Sequence, residues 1–222
     1  MRECAILQAS RSRLLKKDLF GRSDLVETDQ GPVVRRDSSE AAFLLRPVAR
    51  RLLAREARAL AVLESLDGVP DLCHVNATVL ERHFVDGRPM QDGKPTDLAY
   101  FHAASKLLRQ LHRHGIAHND LAKEPNFLVT SCGNPALIDF QLSSYAPRRG
   151  RLFRLLARED IRHLLKHKRT YCPQHLTTRE MSILQNPTLL SRIWMKTGKP
   201  LYLFVTRRLL GWKDREGAGD RV

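Results

Sequence analysis

The stretch His114–Ser144, HGIAHNDLAKEPNFLVTSCGNPALIDFQLSS, constrains the fold of this chain more than any other. A helical pattern stops at Gly115, a polar loop runs from His118 to Asn126, and two strand-like runs then flank a turn. This helix, loop and hairpin gather candidate chemical groups within a short span of sequence. Asp120, Asn126 and Asp139 are the groups so placed. One carboxylate can orient the proton of an attacking hydroxyl, and an amide with a second carboxylate can hold Mg2+ against phosphate oxygens, which is the equipment phosphoryl transfer needs.

Upstream, RLLKKD, SDLVET and PVVRRD read as three short strands with turns at Phe20-Gly21 and Asp29-Gln30-Gly31. Apolar residues at helical spacing predict a helix over Leu45–Leu66, ended by Asp67-Gly68-Val69-Pro70. HVNATVLERHFVDGRPM adds two strand-like pieces, and Thr96 or Asp97 is the expected N-cap of a helix over Leu98–His114. Leu152–Lys168 reads as another helix, and shorter ones follow Pro173 and Pro200.

With those pieces in place, the chain resembles the protein-kinase-like superfamily. HND followed by Asn126 is similar to the His-x-Asp catalytic loop, and ALIDFQ to the strand ending in Asp-Phe-Gly. The resemblance implies a two-lobed α+β fold: a small antiparallel sheet plus helix over residues 1–88 and a mainly helical lobe over 89–222. It implies ATP and Mg2+ as cofactors, Asp120 as catalytic base with His118 beside it bracing the loop, and Asn126 and Asp139 as metal ligands. Phe140 would pack between the loop and the preceding helix. Glu56, in REARALAVL, would be the ion-pairing glutamate, and Asp160 would anchor the catalytic-loop backbone.

Several positions depart from the family pattern. Asn126 follows Asp120 by six positions (126 − 120) instead of five, which requires a one-residue bulge. Gln141 stands where the Asp-Phe-Gly motif has Gly. Gly21 is what remains of the Gly-rich phosphate loop. Val33-Val34-Arg35 occupies the ATP-lysine position, so Arg35 would pair with Glu56 and contact phosphates, with Lys16 or Lys17 as substitutes and an edge-strand surface residue as the bland reading. The brief Gln141–Gly150 segment and small C-terminal lobe are closest in style to RIO kinases and to bacterial Kdo and lipopolysaccharide-core heptose kinases. That implies a hydroxyl acceptor on a sugar, a lipid or a protein Ser/Thr; a catalytically weak pseudokinase or nucleotide-binding scaffold is the alternative.

Composition bounds the rest. Hydrophobic residues at 42% exclude a disordered chain, and 38 Lys plus Arg against 24 Asp plus Glu give +14, favouring phosphates or an anionic membrane face as partners. No groove-reading motif supports specific nucleic-acid recognition. Cys4, Cys73, Cys132 and Cys172 lack metal or disulfide spacing, and no 18-residue apolar run exists, so a cytoplasmic protein, peripheral at the inner membrane at most, is expected. The basic residues Arg151 to Arg169 read as a solvated helix face. Trp194, Tyr202, Phe204 and Trp212 fit either a membrane interface or, the reading favoured here, a packed terminal helix.

Overall fold

A computed structural model describes residues 11–186. The reading of Trp194, Tyr202, Phe204 and Trp212, with the helix after Pro200, lies outside the described residues. The three predicted strands form an antiparallel meander, β1 (Arg11–Asp18), β2 (Gly21–Thr28) and β3 (Gly31–Asp37). Two more, β4 (Leu72–Val75) and β5 (Val79–His83), complete a five-stranded sheet of order β1-β2-β3-β5-β4.

Between β3 and β4 runs α1 (Arg46–Val62), shorter at both ends than the apolar pattern predicts. Phe43–Leu45 form a 3-10 turn, and Pro47 sits in the first turn, where its missing N–H has no helical partner to lose. The helix packs on one face of the sheet through Leu53 and Ala57, which meet the fully buried Leu80 of β5.

The remaining residues are built around helices. After β6 (Arg88–Pro89) and the one-turn α2 (Met90–Gly93), α3 (Leu98–Arg113) begins at Asp97, whose side chain accepts a hydrogen bond from Ala99 N at 2.8 Å. Gly115 ends α3 with φ +75°, and a Cβ there would stand 2.7 Å from the Ala146 carbonyl oxygen. The carbonyl of Gly115 itself accepts from Ala146 N at 2.8 Å. Glycine is thus required by both conformation and space.

Next come β7 (Ile116–Ala117), the hairpin of β8 (Phe127–Val129) and β9 (Pro135–Leu137), and β10 (Ser144–Tyr145), which returns to pair with β7. β6 joins the hairpin edge through Arg88↔Val129. α4 (Arg151–Tyr171) and α5 (Thr178–Gln185) close the structure, α5 beginning with a capping box between Thr177 and Glu180. Leu108, Leu111, Ile116, Leu121, Phe127, Leu137 and Phe140 are all fully buried and form the floor under the polar loop. Among the described residues no helix is long and apolar enough to cross a membrane, and Cys73, Cys132 and Cys172 are free thiols.

The expectation that α4 presents a uniformly solvated basic face is corrected. Arg154 and Arg158 are exposed, but Arg162 and Lys168 are 7% and 3% exposed. Each carries its charge inward because a carboxylate meets it: Glu159 at 2.7 Å and Glu180 at 2.8 Å.

Candidate active site

The polar loop is held by one carboxylate from below. Asp160 of α4, with no exposed surface, accepts hydrogen bonds from the backbone N–H of His118 at 2.8 Å and of Asn119 at 2.9 Å, and its Oδ2 lies 3.2 Å from His112 Nε2. Two backbone amides converging on one carboxylate fix the loop where it turns through Asn119, at φ +67°. Asn119 then donates to the Leu142 carbonyl at 2.9 Å and to Ser144 Oγ at 3.2 Å, joining the loop to the segment after Asp139.

His118 is fully buried, its Nε2 donates to the Ile138 carbonyl at 3.0 Å, and its ring centroid lies 4.7 Å from that of Phe140. Those contacts make it a positioning residue. This is the bracing position that the resemblance implied for it beside Asp120.

The long spacing between Asp120 and Asn126 closes without strain. Lys123 N donates to the Asp120 carbonyl at 3.4 Å, Asn126 N donates to the Lys123 carbonyl at 3.3 Å, and Glu124–Asn126 form a 3-10 turn. Asn126 Nδ2 consequently reaches back to the Asp120 carbonyl at 2.9 Å and to its Oδ2 at 3.1 Å. Lys123 Nζ stands 3.1 Å from the same oxygen, a contact that sequence reasoning missed although a lysine in a polar loop beside the key carboxylate was its signal.

Asp139 follows β9 at φ +66° and precedes a 3-10 turn over Phe140–Leu142. The left-handed residue is thus the aspartate itself, and Gln141 inside the turn needs no glycine-like freedom. Burial is the main influence that raises the Asp120 pKa; Lys123 opposes it, and the negative charge of Asp139 adds to it.

The expected pairing of Arg35 with Glu56 is not made. Arg35 stands opposite Glu81 in the β3–β5 ladder and bonds it at 2.6 Å, on the face of the sheet away from α1. Side chains opposite each other in an antiparallel pair share a face, so the partner of Leu80 on the α1 face is Arg36, and the partner of Val34 there is Arg82. Glu56, 2% exposed, is bonded by Arg82 at 3.2 Å. Burial raises the Glu56 pKa, with Arg82 opposing, Asp139 adding and Arg36 opposing, which gathers these four charges around one region. Two atoms there are buried without hydrogen-bond partners, Glu56 Oε2 and Arg36 Nε.

The sequence reading settled on Arg35 and passed over Arg36 for a physical reason. Val33 and Val34 are both buried, at 2% and 6%, so the period-2 alternation that would mark the inward face is missing. Gly21 also differs in role from a phosphate cradle. At φ +134° its absent side chain admits the Asp37 carbonyl oxygen, which a Cβ would meet at 2.2 Å, so backbone packing requires it.

The donor set suits a magnesium nucleotide. Asn126 and Asp139 offer hard oxygen ligands, and Mg2+ is ordinarily held by one or two carboxylates plus substrate phosphates rather than by a full protein cage. The buried, unpartnered Arg36 Nε would be a donor to such phosphates.

The fold is similar to that in the crystal structure of the Rio2 kinase from Chaetomium thermophilum, with a TM-score of 0.60 and 16% sequence identity over 78% of this chain and 60% of the Rio2 chain. This chain accordingly spans 60% of the length of that structure. No protein-family model matches the sequence, and the search of curated proteins returned no match. The fold is the protein-kinase-like fold, an α+β architecture with an antiparallel sheet packed on a helix ahead of a helical half. Its likeness is to the RIO side of the sequence resemblance, and it does not bear on the lipopolysaccharide-core kinases.

Proposed function

We propose that the protein is an ATP-dependent phosphotransferase that transfers the γ-phosphoryl group to a hydroxyl acceptor. The observation that carries this reading is the loop geometry: Asp120 and Asn126 locked together at 2.9 and 3.1 Å, on a backbone anchored by the buried Asp160. ATP would lie between a sheet lobe ending near residue 88 and the helical lobe beyond it, with Arg36 contacting its phosphates and Glu56 and Arg82 keeping α1 in register with β5. Asp120 would accept and orient the acceptor proton, and Lys123 at its side would balance charge as the phosphoryl group moves. Asn126 and Asp139 would hold Mg2+, which when bound neutralises the phosphate oxygens.

Only the residues from Gln141 to Gly150 separate Asp139 and Phe140 from α4, so there is little chain for a peptide-binding platform. A sugar or lipid hydroxyl, such as one on a lipopolysaccharide core at the cytoplasmic face of the inner membrane, suits that segment better than a protein Ser/Thr. Asp120→Asn tests the reading: ADP release with a panel of envelope sugars should fall about 10²–10⁴-fold while ATP affinity holds within about twofold. Equal turnover in the variant would overturn the role of Asp120.

A second reading, a nucleotide-binding scaffold without turnover, is favoured by one observation. Asp120 Oδ2 is already engaged by both Asn126 and Lys123, each at 3.1 Å. Native protein that binds ATP yet shows no phosphotransfer to any acceptor of the panel would favour it.

A further inference from the structure

A cavity of about 440 Å³ lies between α1 and the segment that follows Asp139. Arg51, Arg55 and Arg58 line it from the helix, and Ser143, Ser144 and Tyr145 line it from the other side. Spacings of four and three residues (55 − 51 and 58 − 55) put the three arginines on one stripe of α1. Like charges at these spacings weaken a helix, and among the described residues no carboxylate pairs with any of the three. The arrangement therefore has a cost within the chain that a bound anion would offset.

The other wall supplies matching donors. Arg55 Nε donates to the Ser143 carbonyl at 3.1 Å, which fixes the guanidinium and leaves its two terminal NH2 groups available. Ser144 Oγ accepts from Asn119 at 3.2 Å and keeps its own proton to donate. Tyr145 is 43% exposed, with its hydroxyl free to do the same. Guanidinium forks and hydroxyl donors around a space of this size match a tetrahedral, doubly charged oxyanion with an organic group attached.

We propose that this cavity is a second anion site, separate from the nucleotide site, that takes a phosphate monoester group. None of Arg36, Asp120, Asn126 and Asp139 lines it. A phosphate held there would tie α1, which carries Glu56, to the residues directly after Asp139, and so would couple occupancy of this site to the alignment of the two carboxylates. The proposal does not depend on phosphotransfer.

The test titrates the full chain with inorganic phosphate and with phenyl phosphate at constant ionic strength, following arginine side-chain NH resonances. Saturable binding is expected, with phenyl phosphate at least as tight as inorganic phosphate. The dissociation constant should rise tenfold or more in Arg51→Gln/Arg55→Gln/Arg58→Gln and stay within twofold in Asp139→Asn and Arg36→Gln. All three arginines are exposed, so the triple variant should fold, which its thermal midpoint checks; should it not, Arg51→Gln alone is expected to weaken binding about threefold. No saturable binding, unchanged affinity in the arginine variants, or loss of binding in Arg36→Gln instead would each overturn the proposal.

Discussion

At the scale of single residues the proposed chemistry rests on Asp120 and Arg36, and each is defined by what stands opposite it. For Asp120 these are Lys123, Asn126 and, through its charge, Asp139. For Arg36 it is Leu80 across the ladder, which puts the guanidinium on the α1 face with one nitrogen unpartnered. ATP affinity should therefore fall tenfold or more in Arg36→Gln and change less than about twofold in Arg35→Gln, read by calorimetry; about 1.4 kcal/mol separates tenfold steps. Equal losses in both would refute the face assignment. The nearness of Asp120 and Asn126 was legible in the sequence because both lie in one short polar loop between a helix stop and a hairpin. Arg36 and Arg82 were not, since two valines precede Arg35 and nothing in the sequence marks which strand neighbour bonds Glu56.

Among the elements, α1 and α4 hold the site from opposite sides. Arg82, 14% exposed, meets Glu56 at 2% exposure, so Arg82→Met should cost about 3–5 kcal/mol by leaving a buried carboxylate unpaired. Arg35→Met breaks a pair whose arginine is 33% exposed and should cost less than about 1 kcal/mol; chemical denaturation of both variants compares them directly. Asp160→Ala removes the acceptor of two backbone amides and should lower stability by about 3 kcal/mol, as well as turnover.

His163 of α4 gives a pH signature. Burial, with Lys166 and Arg162 adding and Glu159 and Asp160 opposing, lowers its pKa to about 4. An unfolded histidine near pH 6.5 binds protons that the folded one refuses, so the stabilising contribution is whole above that pH and is lost as pH falls towards 4. Between those values stability should drop by roughly 1.4 kcal/mol per pH unit from this group, and His163→Gln should flatten that part of the profile. The extents of both helices were partly legible: apolar spacing located them, while their ends were set by the turn before Pro47 and by the continuation of α4 to Tyr171.

Across the whole molecule, a five-stranded sheet with one helix and a helical half meet around Glu56, Asp120 and Asp139. The order of strands and helices could be read from the sequence because each is separated by turn residues. The pairing of β3 with β5, instead of β3 with β4, could not, because it depends on which strand α1 returns the chain to. A net charge of +14 makes nonspecific attraction of nucleotides a hazard for any assay, and moderate salt suppresses it. The central claim is that these parts form a magnesium nucleotide site, and calorimetry of ATP binding at moderate salt, with and without Mg2+, tests it most directly. The account predicts Mg2+-dependent binding by the native chain that weakens tenfold or more in Asp139→Asn. Native protein that binds no ATP, or an Asp139→Asn variant that binds it equally well, would contradict it.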